Sequence, residues 1–211
     1  MKALYSILVL TGIFYNTKSF AQLTLPIRTL DTTLLVGATP GNANVSSGGA
    51  ATYSVPIFVS PGTAGLQPNI SIDYNSQVAN GVLGVGWNIA GLSAITRVPQ
   101  DYYHDGAVKG VSLTTSDKFE WDGNRLTGIS GGSTGTVYAT ESESFAYILS
   151  PNQQAGNGPA SFNITTKEGM VLSYGETSDS RIEAPGSATV LLWRLNQMKD
   201  KNGNYINYTY T

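Results

Sequence analysis

Apolar residues recur at every second position through most of this chain, and that alternation predicts a succession of short strands. Ala51, Tyr53, Val55, Ile57 and Val59 alternate with Thr52, Ser54, Pro56 and Phe58. Pro56 lacks an N–H, so this strand is expected at an edge or with a bulge. After the turn-rich SPGTAGLQP, Ile70, Ile72 and Tyr74 alternate with Ser71 and Asp73. DKFEWDGNRLTGI reads as a hairpin in which Phe119 and Trp121 share a face, Asp122-Gly123 supplies a tight turn and Leu126 opens the return strand. GISGGSTGT reads as a flexible tip. Phe145, Tyr147 and Leu149 make the next alternating run, followed by the polar loop SPNQQAGNGPA. Phe162 and Ile164, then Val171 and Tyr174, flank the turn residues KEG. Leu191, Trp193 and Leu195 alternate up to Asn202-Gly203, and Ile206, Tyr208 and Tyr210 alternate after it. About a dozen short strands at such spacing predict an all-β antiparallel meander forming a curved, open sheet, and no stretch predicts a helix.

One stretch interrupts the pattern. GVLGVGWNIAGLSAITR, residues 81–97, holds four glycines, a tryptophan and an arginine in an otherwise apolar run. Glycine in a strand marks a bulge, a bend or a close backbone approach. Gly84 and Gly86 bracket Val85 directly before Trp87, so the ring is expected to be buried over bare backbone. A phosphate-cradling loop would need a helix after the glycines. Ile89, Gly91, Ser93, Ile95 and Arg97 instead continue with period two. Arg97, at the end of the run, is expected to matter less to folding unless it is paired.

Composition narrows the class. Charged residues make up 12% of the 211, half the usual share, and there are 24 glycines and 12 tyrosines. A net charge of −2 gives no reason to expect nucleic acid or an anionic membrane as partner. Met1-Lys2, the apolar run Ala3 to Tyr15 and the small residues of Ser19-Phe20-Ala21 read as an export signal cleaved after Ala21, too short to span a bilayer. Residues 22–47, ending in GATPGNANVSS, read as an irregular leader, and the β domain as 48–211. With no cysteine in a secreted chain, the fold must rest on sheet hydrogen bonds and packing, without disulfides or Cys-ligated zinc.

Candidate chemistry is sparse. His104 is the single histidine, set beside Asp101 and Asp105 in DYYHDG, and without further ligands it reads as a turn residue. DKNGN, residues 200–204, resembles the opening of a calcium loop but has Tyr205 where that loop needs glycine, so a hairpin turn explains it with less. No G-x-S-x-G occurs. Glu141-Ser142-Glu143 forms the E-x-E pair of arginine-directed ADP-ribosyltransferases, for which Arg97 and Thr114-Thr115-Ser116 could supply the other parts.

By its motifs the chain resembles the SpvB-type N-terminal domain, the virulence plasmid B protein family that also opens the B component of insecticidal toxin complexes. GAATYSVPIFVSPGTAGLQPNISIDYNS is similar to the family's opening strands. The glycine stretch is similar to its signature at Gly84, Gly86, Trp87, Ile89, Gly91, Ser93, Ile95 and Arg97. FEWDGNRL, YATESESFAYI, FNITTKEGMVLSYG and WRLNQMKDKNGNYINYTY resemble later blocks, the last leading towards Rhs/YD repeats. The resemblance covers Gly48 to Thr211. It implies a noncatalytic segment of shell wall, with no cofactor, whose partners are downstream Rhs/YD-repeat segments or toxin-complex components. It also implies that the transferase of the virulence protein lies elsewhere, which removes Glu141 and Glu143 from that role. Because family members run far longer, it implies a fragment or truncated copy. The alternative is a secreted binding module that shows Tyr102, Tyr103, Tyr205, Tyr208 and Tyr210 to a cell-surface glycan or protein; burial of Tyr208 and Tyr210 would weaken it.

Overall fold

The computed structural model describes residues 41–132 and 135–211, so the expected export signal and most of the expected leader lie outside the described residues. The described part is built almost wholly of antiparallel strands. β1 (Asn42–Val45), β2 (Ala51–Pro56) and β3 (Ser71–Asn75) come first, then the two-residue pair β4 (Asn80–Gly81) and β5 (Gly84–Val85), then β6 (Trp87–Ala90). β1, β2, β3 and β6 form a four-stranded sheet in that order. β1 lies inside the stretch expected to be irregular; Asn and Ser there carry no apolar period, and the strand is made by its ladder to β2.

The alternation of the sequence is realised as two unlike faces of this sheet. Tyr53, Tyr74 and Trp87 stand opposite one another, as do Val55, Ile72 and Ile89, which gives one apolar face. On the other face Asp73 Oδ1 accepts from the hydroxyls of Ser54 (2.6 Å) and Ser71 (2.8 Å). Pro56 falls beyond the end of β1, whose register stops at Ser54, so its missing N–H leaves no ladder bond unmade.

The remaining chain forms β7 (Ala94–Val98), a four-residue helix α1 (Tyr102–Asp105), β8 (Lys118–Trp121), β9 (Asn124–Gly132) and β10 (Gly135–Thr140). It goes on through β11 (Tyr147–Pro151), β12 (Phe162–Thr165), β13 (Val171–Tyr174), β14 (Arg181–Glu183), β15 (Val190–Lys199) and β16 (Tyr205–Asn207). From β7 to β13 each strand but the helix-separated pair follows its neighbour by a short connection, and all are hydrogen-bonded in sequence order. β15 then pairs with β7 through Leu192↔Thr96 to Arg194↔Ala94 and with β13 through Tyr174↔Leu195 to Val171↔Lys199. The curvature of the meander therefore runs to closure: β7 to β13 and β15 make an antiparallel barrel, and β14 and β16 lengthen the flanks of β15. A barrel of this strand number has an interior that side chains can fill.

They fill it. Ile95, Phe119, Leu126, Ile148, Phe162, Ile164, Tyr174, Trp193 and Leu195 form one buried cluster, each from a different strand or the opposite end of the same one. Trp193 is wholly buried and meets Phe119 and Phe162 edge-on at centroid distances of 5.4 and 5.1 Å, while its Nε1 donates to the Pro159 carbonyl. The Asp122-Gly123 turn has φ of 48° and 81°, the two positive angles a primed turn requires.

Three expectations are corrected. α1 exists because the Asp101 carboxylate caps it, accepting from the His104 N–H, and Gly106 ends it in the left-handed region. Described residues of GISGGSTGT extend β9 and β10, paired Gly135↔Gly132 to Thr140↔Leu126 around a bulge, so the glycines widen a ladder. Phe145 and Tyr147 are exposed, and the barrel takes the opposite phase, Ile148 and Ser150.

Candidate functional site

The signature residues divide between the two sheets, and each does a distinct job. Gly84 and Gly86 have φ of 118° and 76° and turn the chain into β6. A Cβ on Gly86 would lie 2.7 Å from the Tyr74 ring and 2.8 Å from the Asn75 carbonyl, so this glycine makes room for Tyr74. One on Gly84 would meet nothing; its requirement is the backbone angle alone. Trp87 is half-buried, not buried: it sits on the apolar face of the four-stranded sheet against Tyr53 and Tyr74. Ile89 on the same face is exposed. Gly91, φ 86°, is the hinge between sheets, and a Cβ there would strike the Asn69 carbonyl.

From Gly91 the chain enters the barrel, and Ser93, Ile95 and Arg97 line its interior from end to end. At one end Ser93 Oγ donates to Asp122 Oδ2 (2.6 Å) and lies 2.7 Å from the Tyr174 hydroxyl. Trp121 Nε1 donates to both Ser93 Oγ and Tyr174 Oη. Burial pushes the Tyr174 hydroxyl far above its ordinary range, so it stays protonated as a structural group. Ile95 is wholly buried in the middle.

Arg97 closes the other end, and the condition attached to its expected minor role applies, because it is paired with Asp117. Its guanidinium is buried beside the rings of Phe119 and Trp193, 5.4 and 5.7 Å from their centroids. Nε donates to the Val190 carbonyl at 2.7 Å, Nη1 to Thr114 O (2.9 Å) and Asp117 Oδ2 (3.0 Å), and Nη2 to Asn157 O (3.0 Å). The fork thus ties three separate segments across the barrel mouth. Asp117 also accepts from the Ser112 N–H and hydroxyl and from the Leu113 N–H. Gly158 is needed beside it, because a Cβ would collide with Arg97 Nη2. Asp117 escaped the sequence reading because it lies 20 residues from Arg97, across a helix and a loop, with no local motif to join them.

The other polar cluster lies outside the barrel. His104 meets Asp101 and Glu141, and Arg125 on β9 pairs with Asp101 and Asp105. Asp101, His104, Arg125 and Glu141 border a cleft of about 640 Å³ that Glu120 and Asn124 also line. Glu143 accepts the Phe145 N–H at 2.7 Å. The E-x-E carboxylates are therefore engaged with His104 and their own turn, while Arg97 and the Thr114 carbonyl bond each other inside the barrel. No group of three or more His, Cys, Asp or Glu is placed to hold a metal among the described residues. In DKNGN the Asp200 carboxylate accepts from the Asn202 and Asn204 N–H groups and shapes the β15–β16 turn.

The tyrosines divide as well. Tyr102, Tyr103 and Tyr205 are exposed. Tyr208 packs against the barrel core, and Tyr210 donates its hydroxyl to the Leu195 carbonyl beneath the Arg194 guanidinium. No helix among the described residues is long and apolar enough to cross a membrane.

Comparison with known proteins gives a consistent result. The family model for SpvB, the Salmonella virulence plasmid 65kDa B protein, matches residues 45–211. The Mono(ADP-ribosyl)transferase SpvB of Salmonella typhimurium is 28% identical over 190 residues, which cover 81% of this chain and 31% of that protein; the Salmonella dublin protein gives the same figures. The chain thus spans about a third of the curated relatives it matches. Among solved structures, TcdB2-TccC3 superposes with a TM-score of 0.65 at 20% identity, covering 83% of this chain and 9% of that one. The N-terminal domain of effector protein SpvB from Salmonella typhimurium strain LT2 gives 0.55 at 22%, covering 70% and 50%. At these identities the structural likeness is one of fold.

Proposed function

The chain belongs to the SpvB family, and from that membership we propose that it is a noncatalytic structural module of an exported, toxin-complex-like protein, forming part of a β shell. One observation carries the reading: the part of the expected signature that enters the barrel is engaged in packing. Ser93, Ile95 and Arg97 face the interior of a filled barrel, and Ser93 and Arg97 are saturated by partners from the same chain. A catalytic group needs an open face towards a substrate, and these have none. The E-x-E carboxylates support the same reading, since Glu141 is engaged by His104 and Glu143 by the Phe145 N–H.

In this reading residues 1–21 are a cleaved export signal and 22–47 a leader, and the partners are downstream Rhs/YD-repeat shell segments or other toxin-complex components. The likeness of fold to TcdB2-TccC3 supports the assembly context. The test is replacement. A TcdB2-TccC3 protein whose matching segment is exchanged for residues 42–211 should still assemble into particles of parental size by electron microscopy. Failure to assemble, with the exchanged segment folded and soluble on its own, would refute the shell role.

A further inference from the structure

Both ring nitrogens of His104 meet carboxylates. Nδ1 lies 2.6 Å from Asp101 Oδ2, and Nε2 lies 2.8 Å from Glu141 Oε1. A neutral imidazole carries one N–H, so one of these contacts would set a lone pair against an anionic oxygen; only the imidazolium donates to both. The two carboxylates belong to different parts of the fold. Asp101 caps α1, and Glu141 stands just past β10, in the connection to β11. We propose that His104 is a proton-operated latch between α1 and the β10–β11 connection, closed when the ring is charged and loosened when it is neutral.

The surrounding charges favour the closed form. From its own element the ring faces Asp101, with Asp105 one residue on; the edge of the Tyr103 ring packs on it at a centroid distance of 4.8 Å. From β9, Arg125 binds Asp101 and Asp105 and so is neutralised by them. From β8, Lys118 lies 3.8 Å from Asp105, and Glu120 lines the same cleft with its carboxylate held by the Thr96 hydroxyl. From the β10–β11 connection, Glu141 touches the ring directly. The ring thus contacts two carboxylates, and the nearby cations are already paired. Hydrogen bonds to Glu141 and then to Asp101 accordingly hold the His104 pKa above its ordinary value.

The sign follows from that direction. The folded pKa is raised over the unfolded one, so the latch contributes fully below about 6.5 and is lost as pH rises through the higher folded value. Deprotonation leaves the backbone of the connection in place, because Glu141 N still donates to Arg125 O and Ser142 N to Asn124 Oδ1. What loosens is the tie between the connection and α1, which carries the exposed Tyr102 and Tyr103, while Arg125 still holds Asp101 and Asp105 to β9. This inference is independent of the shell role and stands or falls apart from it.

His104 is the only histidine, so its resonances are unambiguous. Two-bond ¹H–¹⁵N spectra of the ¹⁵N-histidine-labelled full chain, taken from pH 5 to 9, read its charge and tautomer. Both nitrogens should be protonated at pH 5, with a midpoint above about 6.5 that falls in Glu141→Gln and in Asp101→Asn, which keeps the cap. Hydrogen exchange of residues 101–106, corrected for intrinsic rates, should accelerate severalfold across the midpoint in the parent and lose that step in His104→Gln. A midpoint at or below about 6.5, a midpoint that Glu141→Gln leaves unmoved, or an exchange step that persists without the imidazole would each overturn the latch.

Discussion

Replacing Arg97 by methionine separates a barrel closed by a buried charge from one closed by packing alone. Methionine keeps most of the aliphatic stem beside Phe119 and Trp193, so the loss falls on the charge and its donors. Three carbonyls, of Val190, Thr114 and Asn157, lose their donor, and Asp117 loses its counter-ion while buried. Breaking a buried pair from one side costs about 3–5 kcal/mol. Asp117 retains three other hydrogen bonds, from Ser112 and Leu113, which points to the lower part of that range, about 3–4 kcal/mol. Adding Asp117→Asn removes the stranded charge, so the double variant should be less destabilised than the sum of the singles by about 1 kcal/mol or more. Urea unfolding followed by far-ultraviolet circular dichroism measures all three, with an unchanged denaturant slope as the sign that folding stays two-state. If the methionine variant does not fold, Arg97→Lys, which keeps the charge and loses the fork, should fall between it and the parent. An Arg97→Met stability within about 0.5 kcal/mol of the parent would refute the reasoning, since that is the size of an inert surface change.

The acid limb of stability should depend on Asp117. Burial works to raise its pKa, but hydrogen bonds from Ser112, Arg97 and Leu113 outweigh it and hold the carboxyl below its ordinary value. Its contribution is therefore present above about pH 3.9 and lost as pH falls through the lower folded value; urea midpoints between pH 5 and 2 should fall less steeply in Asp117→Asn than in the parent. Trp87→Ala should cost about 1–2 kcal/mol, below the 3–5 of a fully buried large aromatic, because its ring is half open to solvent. Gly86→Val should destabilise at least as much, through its positive φ and the collision with Tyr74, and equal urea midpoints for parent and valine variant would contradict that. Secreted protein should begin at Gln22 on N-terminal sequencing, and a retained Met1 on exported material would refute the signal reading.

Local devices were legible in the sequence and long-range ones were not. The Asp122-Gly123 hairpin, with Phe119 facing in, follows from turn chemistry and period two within one short segment. Phe145 and Tyr147 misled because both phases of that segment carry apolar residues, and only the Ile148↔Ile164 pairing decides which one enters the barrel. Closure depends on the pairing of β13 with β15 and of β15 with β7, far apart along the chain. Trp87 and Trp193 both sit in alternating runs; burial differs because Trp193 joins the filled barrel's core cluster and Trp87, on the four-stranded sheet, does not. Whether Arg97 is paired could not be read locally, because its environment is assembled from Thr114, Asp117, Asn157 and Val190, none of them a sequence neighbour.

The most direct measurement compares two variants within the segment-exchanged TcdB2-TccC3 protein, scoring assembled particles by electron microscopy. If the module acts through packing, Arg97→Met should lower the yield of intact particles, while Glu141→Gln/Glu143→Gln should match the unsubstituted exchange protein in particle yield and in toxicity. Intact particles with Arg97→Met, together with toxicity abolished by the two glutamine substitutions, would contradict the structural reading and return the carboxylates to a chemical role.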